Sequence, residues 1–540
     1  MQYYLSLIST VLLFFQGVSG FSQDLIPGHI YFSNSPLTKQ GISKANIIKE
    51  STLHPKTDLY IHLVLDRPLS HSLQNLAPGM DRKTVAKSGN FQFLFLVDDS
   101  LIYTTNLIPG APSTGIKDTA TKLSLPLIKY NNEEGALWSQ YAWFRFFYNG
   151  GGTALTEGKH RLKIIVRPYI KINSDLQVGE NIAAGEILLN VKMNEKINTA
   201  AIILNKPKPY TGLAVSNEKF DRMSIKNLKG LCENGTFKNI KGIVVLKQNK
   251  ILIEEYFNGA NRNTLHDPRS VGKSFASTAL GLAIDKGFIK NEDQMLSQYY
   301  KISQYANHST EKEQTTLKDL LTMSSPFDGD DNEDSPGHEE NMYPTDNWVK
   351  FALDLPVAAH RPKKEWHYFT AGVVVLGDIV HKAVPGGLEN FLDQYLFKPL
   401  HISNYKWQYT PQRVANTAGS LQMNALDFAK YGQLYKDHGM WNGKRVLPAD
   451  WITKSFSKHR IIPNRDNEYY GYLFWNKTYT VNNKQYETYY CTGNGGNKIF
   501  VFKDIPIVIV VTASAYNMPY AHPQVDKMME EYLLPAVMQN

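Results

Sequence analysis

The stretch that decides the fold runs Leu265-His266-Asp267-Pro268-Arg269-Ser270-Val271-Gly272-Lys273-Ser274. A proline-containing loop leads into a serine, a lysine follows three residues later, and small residues continue to Gly281. This pattern predicts a helix over 270–286 that packs tightly inside a domain. The strands before it, Gly242–Leu246 and Ile251–Ile253, flank Gln248-Asn249 and are typical of a hairpin.

A serine at the start of a helix can act as a nucleophile. The helix N-terminus offers unpaired N–H groups and partial positive charge, and the serine's own N–H can donate to an oxyanion. Lys273 lies one helical turn from Ser270, within reach of its hydroxyl. Because serine is a weak nucleophile without a base, we predict Ser270 as the nucleophile and Lys273 as its partner base.

The spacing alone is not specific, since Ser-x-x-Lys recurs elsewhere in the chain. The other occurrences are Ser216/Lys219, Ser309/Lys312, Ser403/Lys406 and Ser455/Lys458. Only Ser270 follows a predicted strand pair and a loop and opens a helix of small residues. Context therefore selects this serine.

From about residue 219 to 540 the chain resembles the superfamily of class C β-lactamases, penicillin-binding proteins and esterases. Three segments carry the resemblance in order: Arg269–Ser274, Leu317–Ser325 and Ala418–Lys430, the last continued by Trp441–Lys444. The resemblance implies an α+β domain in which both ends of the segment build one antiparallel sheet, with flanking helices and a helical insertion.

The family's second motif, Tyr-x-Asn, is matched by Tyr368-Phe369-Thr370. The resemblance implies that Tyr368 exchanges protons with Lys273 and protonates the leaving group. Thr370 stands at the position of the asparagine, and its hydroxyl does not reach as far as an amide. This difference concerns recognition of a substrate amide rather than acylation.

The third motif, Lys-Thr-Gly or His-x-Gly on a strand, is best matched by Cys491-Thr492-Gly493 followed by Asn494 and Gly495. The glycines permit close backbone approach, and an N–H near Asn494 is the expected second oxyanion donor. A glycine-rich hairpin turn is the alternative. Cys491 replaces the cation that holds a substrate carboxylate in the family, a contact of about 1.5–3 kcal/mol. We therefore expect neutral esters or amides to be preferred over β-lactams.

The acidic run Asp328–Glu340 is expected to be a solvated loop. Calcium binding and steering of a cationic substrate are the alternatives, but the spacing does not match an EF-hand. No metal site or cofactor is predicted, because two distant cysteines form neither a disulfide framework nor a metal motif.

The first half of the chain shows period-two alternation separated by turn residues, as in Leu59, Ile61, Leu63 and Leu65. This predicts an all-β, sandwich-like domain over residues 24–193. An aromatic run over 138–147 is expected to belong to its core. A polar, proline-containing linker over 194–216 then leads to the hydrolase domain at 217–540.

Bulk properties limit the other possibilities. The 540 residues predict more than one domain, and the net charge of +8 is scattered, which argues against nucleic-acid binding. The apolar run Leu5–Phe15 predicts a signal peptide at 1–23 and export to a bacterial periplasm or medium, with a buried N-terminal strand as the alternative. No segment is apolar enough for a stable membrane span.

Taken together, the sequence predicts a serine hydrolase that forms an acyl-enzyme on Ser270 with a small-molecule or peptide-like ester or amide. A peptidoglycan D-alanyl peptidase with β-lactamase-like activity and a catalytically inactive binding protein are the alternatives. The sequence leaves the oligomeric state open.

Overall fold

The structure is a computed structural model of the chain. It describes residues 25–36, 46–54, 56–130, 137–172, 175–192, 197–332, 335–419 and 421–538. The predicted signal peptide at 1–23 lies outside these residues.

The N-terminal half is rich in β-structure, as predicted. Its strands are β1 (His29–Ser33), β2 (Glu50–Leu53), β3 (Leu59–Val64), β4 (Gly89–Val97), β5 (Ser100–Asn106), β6 (Lys122–Ile128), β7 (Gly158–Ile172), β8 (Asp175–Val178) and β9 (Ala183–Val191). Its helices are α1 (Leu69–Leu76), α2 (Arg82–Ser88), α3 (Thr114–Thr119), α4 (Trp138–Phe146) and α5 (Gly152–Ala154).

These strands differ from the predicted sandwich in their arrangement. They form one nine-stranded sheet in the order β5-β4-β7-β9-β1-β3-β6, with β2 paired to β9 and β8 to β7. The 15-residue strand β7 pairs with β4, β8 and β9. A sandwich would divide these strands between two sheets, but here they belong to one sheet. Alternation identifies strands but not their partners.

Helix α4 covers this sheet where a sandwich would place a second sheet. Its aromatic residues Trp143 and Phe146 are buried, and Phe146 stacks on Phe95 of β4 with ring centroids 4.7 Å apart. The aromatic run is therefore core, as expected, but it is helical.

The C-terminal half holds a second nine-stranded sheet and a helical insertion. Its strands are β10 (Ala214–Val215), β11 (Ile240–Lys247), β12 (Lys250–Tyr256), β13 (Met440–Trp441), β14 (Lys444–Arg445), β15 (Arg460–Ile461), β16 (Tyr469–Tyr470), β17 (Trp475–Val481), β18 (Lys484–Gly493), β19 (Asn497–Phe502) and β20 (Ile507–Ala513). Its helices are α6 (Arg222–Glu233), α7 (Gly272–Asp285), α8 (Thr310–Glu313), α9 (Leu317–Leu321), α10 (Glu339–Met342), α11 (Trp348–Asp354), α12 (Thr370–Ala383), α13 (Gly387–Leu392), α14 (Ala425–Lys436), α15 (Ala449–Ser455), α16 (Ala521–Met528) and α17 (Leu534–Val537).

Both ends of this half contribute to one sheet, which confirms the predicted α+β domain. The strand order is β10-β12-β11-β20-β19-β18-β17-β16-β15, with β13 and β14 as a separate pair. The hairpin β11–β12 turns at Gln248 and Asn249, both of which adopt positive φ. Strand β20 pairs antiparallel with β11, which joins the two ends across the helical insertion.

Helices α7 and α12 lie in the interior of this half. Almost every residue of both is buried, which explains their small or apolar composition on all sides. Among the described residues, no single helix is long and apolar enough to cross a membrane. The pair Thr370–Ala383 and Gly387–Phe397, bent by 77°, passes that test only when taken together.

Candidate active site

Ser270 lies in a short turn of 3-10 helix, Arg269–Val271, that leads directly into α7. Arg269 adopts a φ of 51°, a left-handed conformation that non-glycine residues rarely hold without support from their surroundings. Part of that support is the ring of Tyr516, whose centroid lies 4.4 Å from the Arg269 guanidinium. The turn presents Ser270, half-buried, to a cleft.

Lys273 is in direct contact with the Ser270 side chain. Its ammonium nitrogen lies 2.8 Å from the Ser270 Oγ and 2.6 Å from the Ala418 carbonyl oxygen, and the residue is 2% exposed. The Ala418-Gly419 loop can approach because a Cβ on Gly272 would stand only 3.1 Å from the Gly419 Cα. The segment Ala418–Lys430 therefore supplies the carbonyl that orients the lysine; its Ser420 lies outside the described residues.

Tyr368 completes the group of three predicted catalytic residues. The centroid of its ring lies 5.1 Å from the Lys273 ammonium, and its side chain is hydrogen-bonded to Ser270. Burial raises the pKa of the Tyr368 hydroxyl above its ordinary value of 10, while Lys273 and the Ser270 hydrogen bond act in the opposite direction. Tyr368 is therefore a protonated phenol near neutral pH, which suits a proton donor.

The end of β18 forms the opposite wall of the cleft. A Cβ atom on Gly493 would overlap the Pro268 carbonyl oxygen and stand 2.9 Å from the Ser270 nitrogen, so only glycine permits this approach. Asn494 follows it in the cleft wall, and its side-chain oxygen accepts a 2.6 Å hydrogen bond from the Asn517 N–H. The structure brings Gly493 and Asn494 beside Ser270.

Three of the predicted substrate-site residues do not line the cleft. The Cys491 thiol is buried in the core and hydrogen-bonded to Ser274, because β18 turns alternate side chains to opposite faces and directs Thr492 to the cleft instead. Gly495 packs on the Tyr516 ring in the turn after β18. Thr370 is 1% exposed, with its hydroxyl enclosed in the first turn of α12.

The cleft has a volume of about 320 Å³. It is lined by Ser270, Asp331, Asn332, Glu339, Tyr368, Arg465, Glu468, Trp475, Lys477, Tyr490, Thr492, Gly493, Asn494, Lys498, His522 and Asp526. Within the described residues, no group of three or more His, Cys, Asp or Glu side chains could hold a metal ion.

Cations reach the cleft from β17, β19 and the segment before β16. Lys498 and Lys477 both pair with Asp526, at 2.6 and 3.1 Å, and Arg465 pairs with Glu468 at 3.1 Å. Although burial opposes it, the two lysines hold the pKa of Asp526 down to about 2. With three cations against two carboxylates, this wall has a net positive charge, while Asp331 and Glu339 add two carboxylates to the rest of the cleft.

The acidic loop enters the cleft rather than remaining solvated, which corrects the prediction. Asp331 and Glu339 line the cleft close to Ser270 and Tyr368, while Glu333 and Asp334 lie outside the described residues. Burial, together with the charge of Glu339, raises the pKa of Asp331 to about 6. Folding therefore brings this carboxyl group close to Lys273, whose charge acts to lower the same pKa.

Sequence reasoning missed the charged wall and Asp331. Only Lys498 could have been predicted from the sequence. The antiparallel register pairs it with Thr492, so a hairpin through Gly493 places both side chains on one face of the sheet. Arg465, His522 and Asp526 come from segments whose proximity depends on the tertiary fold, and no local pattern marks them.

The comparison with protein families agrees with this geometry. The model of the Beta-lactamase family matches residues 237–527, more than half of the chain. The chain belongs to the Beta-lactamase family. The predicted resemblance is thereby confirmed.

Several solved structures are similar to part of this chain. An octameric penicillin-binding protein homologue from Pyrococcus abyssi is 17% identical, with a TM-score of 0.42 over 53% of this chain and 73% of its own. A penicillin-binding protein from Bacillus halodurans is 16% identical, with a TM-score of 0.43 over 54% and 97%. A D-stereospecific amidohydrolase from Streptomyces is 16% identical, with a TM-score of 0.43 over 54% and 94%. No curated protein matches the chain.

Proposed function

We propose that this protein is a serine acyl hydrolase that cleaves an ester or amide through an acyl-enzyme on Ser270. The observation that carries the proposal is the 2.8 Å contact between the Ser270 hydroxyl and the buried Lys273 amine in a cleft of about 320 Å³. A nucleophile with a base in hydrogen-bonding contact is the arrangement that acyl transfer needs.

In the acylation step, Lys273 reacts as the neutral amine and accepts the Ser270 Oγ proton as Oγ attacks the substrate carbonyl carbon. The N–H groups of Ser270 and Asn494 are the proposed donors to the oxyanion, a contribution worth about 3 kcal/mol per donor in comparable sites. Tyr368, which burial keeps protonated near neutral pH, then donates its proton to the leaving group. Water attacks the acyl-enzyme in the second step, and the same groups return the protons.

The charged wall formed by Arg465, Lys477, Lys498, Asp526 and Glu468 indicates which class of substrate the cleft can bind. The expected preference for neutral esters rested on a cleft without a cation, and Arg465, Lys477 and Lys498 remove that basis. They support amides or esters whose acyl or leaving group carries a carboxylate. The D-alanyl peptidase or β-lactamase-like activity is accordingly the second candidate function.

Covalent labelling tests the proposal directly. A fluorophosphonate should modify the wild-type protein, and digestion should recover the label on the peptide that contains Ser270. Ser270→Ala should remove both labelling and hydrolysis of p-nitrophenyl acetate, while Ser277→Ala, in the same helix, serves as a matched control. Absence of labelling in a folded wild-type protein would favour the catalytically inactive binding protein.

We also propose that the chain is exported, on the strength of the apolar segment Leu5–Phe15. Sequencing the N-terminus of the protein recovered from a bacterial periplasm or medium tests this. A mature chain that still begins at Met1 would contradict cleavage after the proposed signal peptide.

A further inference from the structure

Asp331 makes three hydrogen bonds, two of them to the segment Tyr368–Thr370. Its backbone N–H donates to the Tyr368 carbonyl oxygen at 2.8 Å, and its Oδ2 accepts from the Thr370 N–H at 3.0 Å. Its Oδ1 accepts from the Glu339 N–H at 2.8 Å. One residue thus binds the main chain on both sides of Phe369 and ties it to the start of α10.

The carboxylate of Asp331 also replaces a missing helix cap. Helix α12 begins at Thr370, and its N-cap residue Phe369 has no polar side chain to receive the first N–H groups. Capping side chains normally come from the N-cap position itself. Here Asp331 provides a negatively charged acceptor from a distant loop, which suits the positive end of a 14-residue helix.

The position of Tyr368 depends on where α12 begins, because Tyr368 immediately precedes the N-cap. We propose that Asp331 is a positioning residue that holds the Tyr368 hydroxyl against Ser270 and Lys273 by fixing the start of α12. This inference rests on the proposed function, since it concerns the same proton transfer. In this inference Asp331 anchors the segment Tyr368–Thr370. Thr370 takes part through its backbone N–H, since its side chain does not face the cleft.

Asp331 also acts on Tyr368 through its charge. Its carboxylate and that of Glu339 both raise the pKa of Tyr368, after the larger effect of burial, while Lys273 lowers it. Tyr343 is a further titratable group near Asp331; its hydroxyl donates to Glu339 at 2.8 Å, and the charges of Asp331 and Arg269 both act on it. Removal of the Asp331 charge should therefore lower the pKa of Tyr368.

Two variants separate the hydrogen bond from the charge. Asp331→Asn removes the charge and one of the two side-chain acceptors. Thr370→Pro removes the N–H and the hydroxyl but keeps the Asp331 charge, and the first position of a helix tolerates proline. Glu340→Gln, an exposed acid of the same loop, is the control. For each we would measure melting temperature, the rate of fluorophosphonate labelling, and kcat and KM for an alkyl ester such as ethyl butyrate, whose leaving group needs a proton. The pH range is 6 to 11, because the pKa of Tyr368 is raised above 10.

We expect Asp331→Asn to lower kcat and the labelling rate about 10- to 100-fold with KM within about threefold, and to move the alkaline limb to lower pH. Thr370→Pro should lower kcat without moving that limb, and Glu340→Gln should change neither. Wild-type rates in a folded Asp331→Asn protein would overturn the inference alone. If that variant does not fold, full activity in Thr370→Pro overturns it. An unlabelled wild-type Ser270 would instead overturn the proposed function.

Discussion

At the scale of single residues, the site depends on one close backbone contact as much as on its catalytic groups. Gly493 brings β18 against the Ser270 nitrogen, and any side chain there would overlap the Pro268 carbonyl. Sequence context predicted Ser270 and Lys273, and the family resemblance predicted Tyr368 and Gly493, because each has a local motif around it. Neither could predict Asp331, whose partners lie 8 to 39 positions away in the chain.

Gly493→Ala should lower kcat/KM about 100-fold, since the Cβ must push β18 or the nucleophile turn out of position and a displacement of about 1 Å has that cost. Kinetics with p-nitrophenyl acetate would measure the effect. Gly115→Ala, in α3, is the matched control because nothing lies within 4 Å of its added Cβ. Activity within twofold of wild type in Gly493→Ala would show that catalysis does not depend on the close contact between β18 and the Ser270 turn.

At the scale of elements, the hairpin β18–β19 shows what a pattern can and cannot predict. Its strands were predicted from their composition, yet the face that meets the substrate was assigned wrongly. Cys491 pairs with Ile499 on the core face, and Thr492 pairs with Lys498 on the cleft face. Both Cys491 and Thr492 are compatible with the core and with the cleft, so alternation alone does not show which of them faces the cleft. A shift of the strand register by one residue exchanges the two faces.

Lys477→Gln tests the charged wall that this hairpin and β17 present. Lys477 lies between Asp526 and Glu468, so its loss leaves the wall with less positive charge. We expect kcat/KM for a chromogenic cephalosporin, which carries a carboxylate, to fall about tenfold, and that for p-nitrophenyl acetate to stay within twofold. Cys491→Ser should alter neither value, because its side chain lies in the core. Equal losses on both substrates would contradict a role in binding the carboxylate.

At the scale of the whole molecule, the two halves share a hydrophobic cluster. Ala515, Met518 and Ala521, from the segment after β20 and the start of α16, pack with the core of the N-terminal sheet. The sequence predicted two domains joined at 194–216, and that boundary stays a prediction. It could not predict the shared cluster, since contacts between distant segments leave no local period in the sequence.

Both halves also bury histidines, which predicts a loss of stability in acid. Burial lowers the pKa of His62 in β3 and of His522 in α16 to about 4, and that of His367 to about 3. A base whose pKa is lower in the folded state loses stability as pH falls below 6.5, because the unfolded chain binds the proton first. At pH 4.5 this amounts to about 2 kcal/mol each for His367 and His522. Asp331, whose pKa is raised to about 6, has the opposite effect over the same window, as do Glu255, Asp427 and Asp437, whose pKa values burial raises. Asp526, whose pKa is held down to about 2, adds to the loss of stability in acid.

The melting temperature should therefore fall steeply from pH 6.5 to 4.5. His367→Phe should reduce that fall, because phenylalanine does not titrate and the His367 Nε2 is buried without a hydrogen-bond partner among the described residues. His71→Phe, at an exposed position of α1, is the control for replacing a histidine by phenylalanine. Calorimetry across this range would measure all three proteins. A melting temperature that stays constant down to pH 4.5 would mean that these histidines become protonated without unfolding the chain, and that their sites admit water.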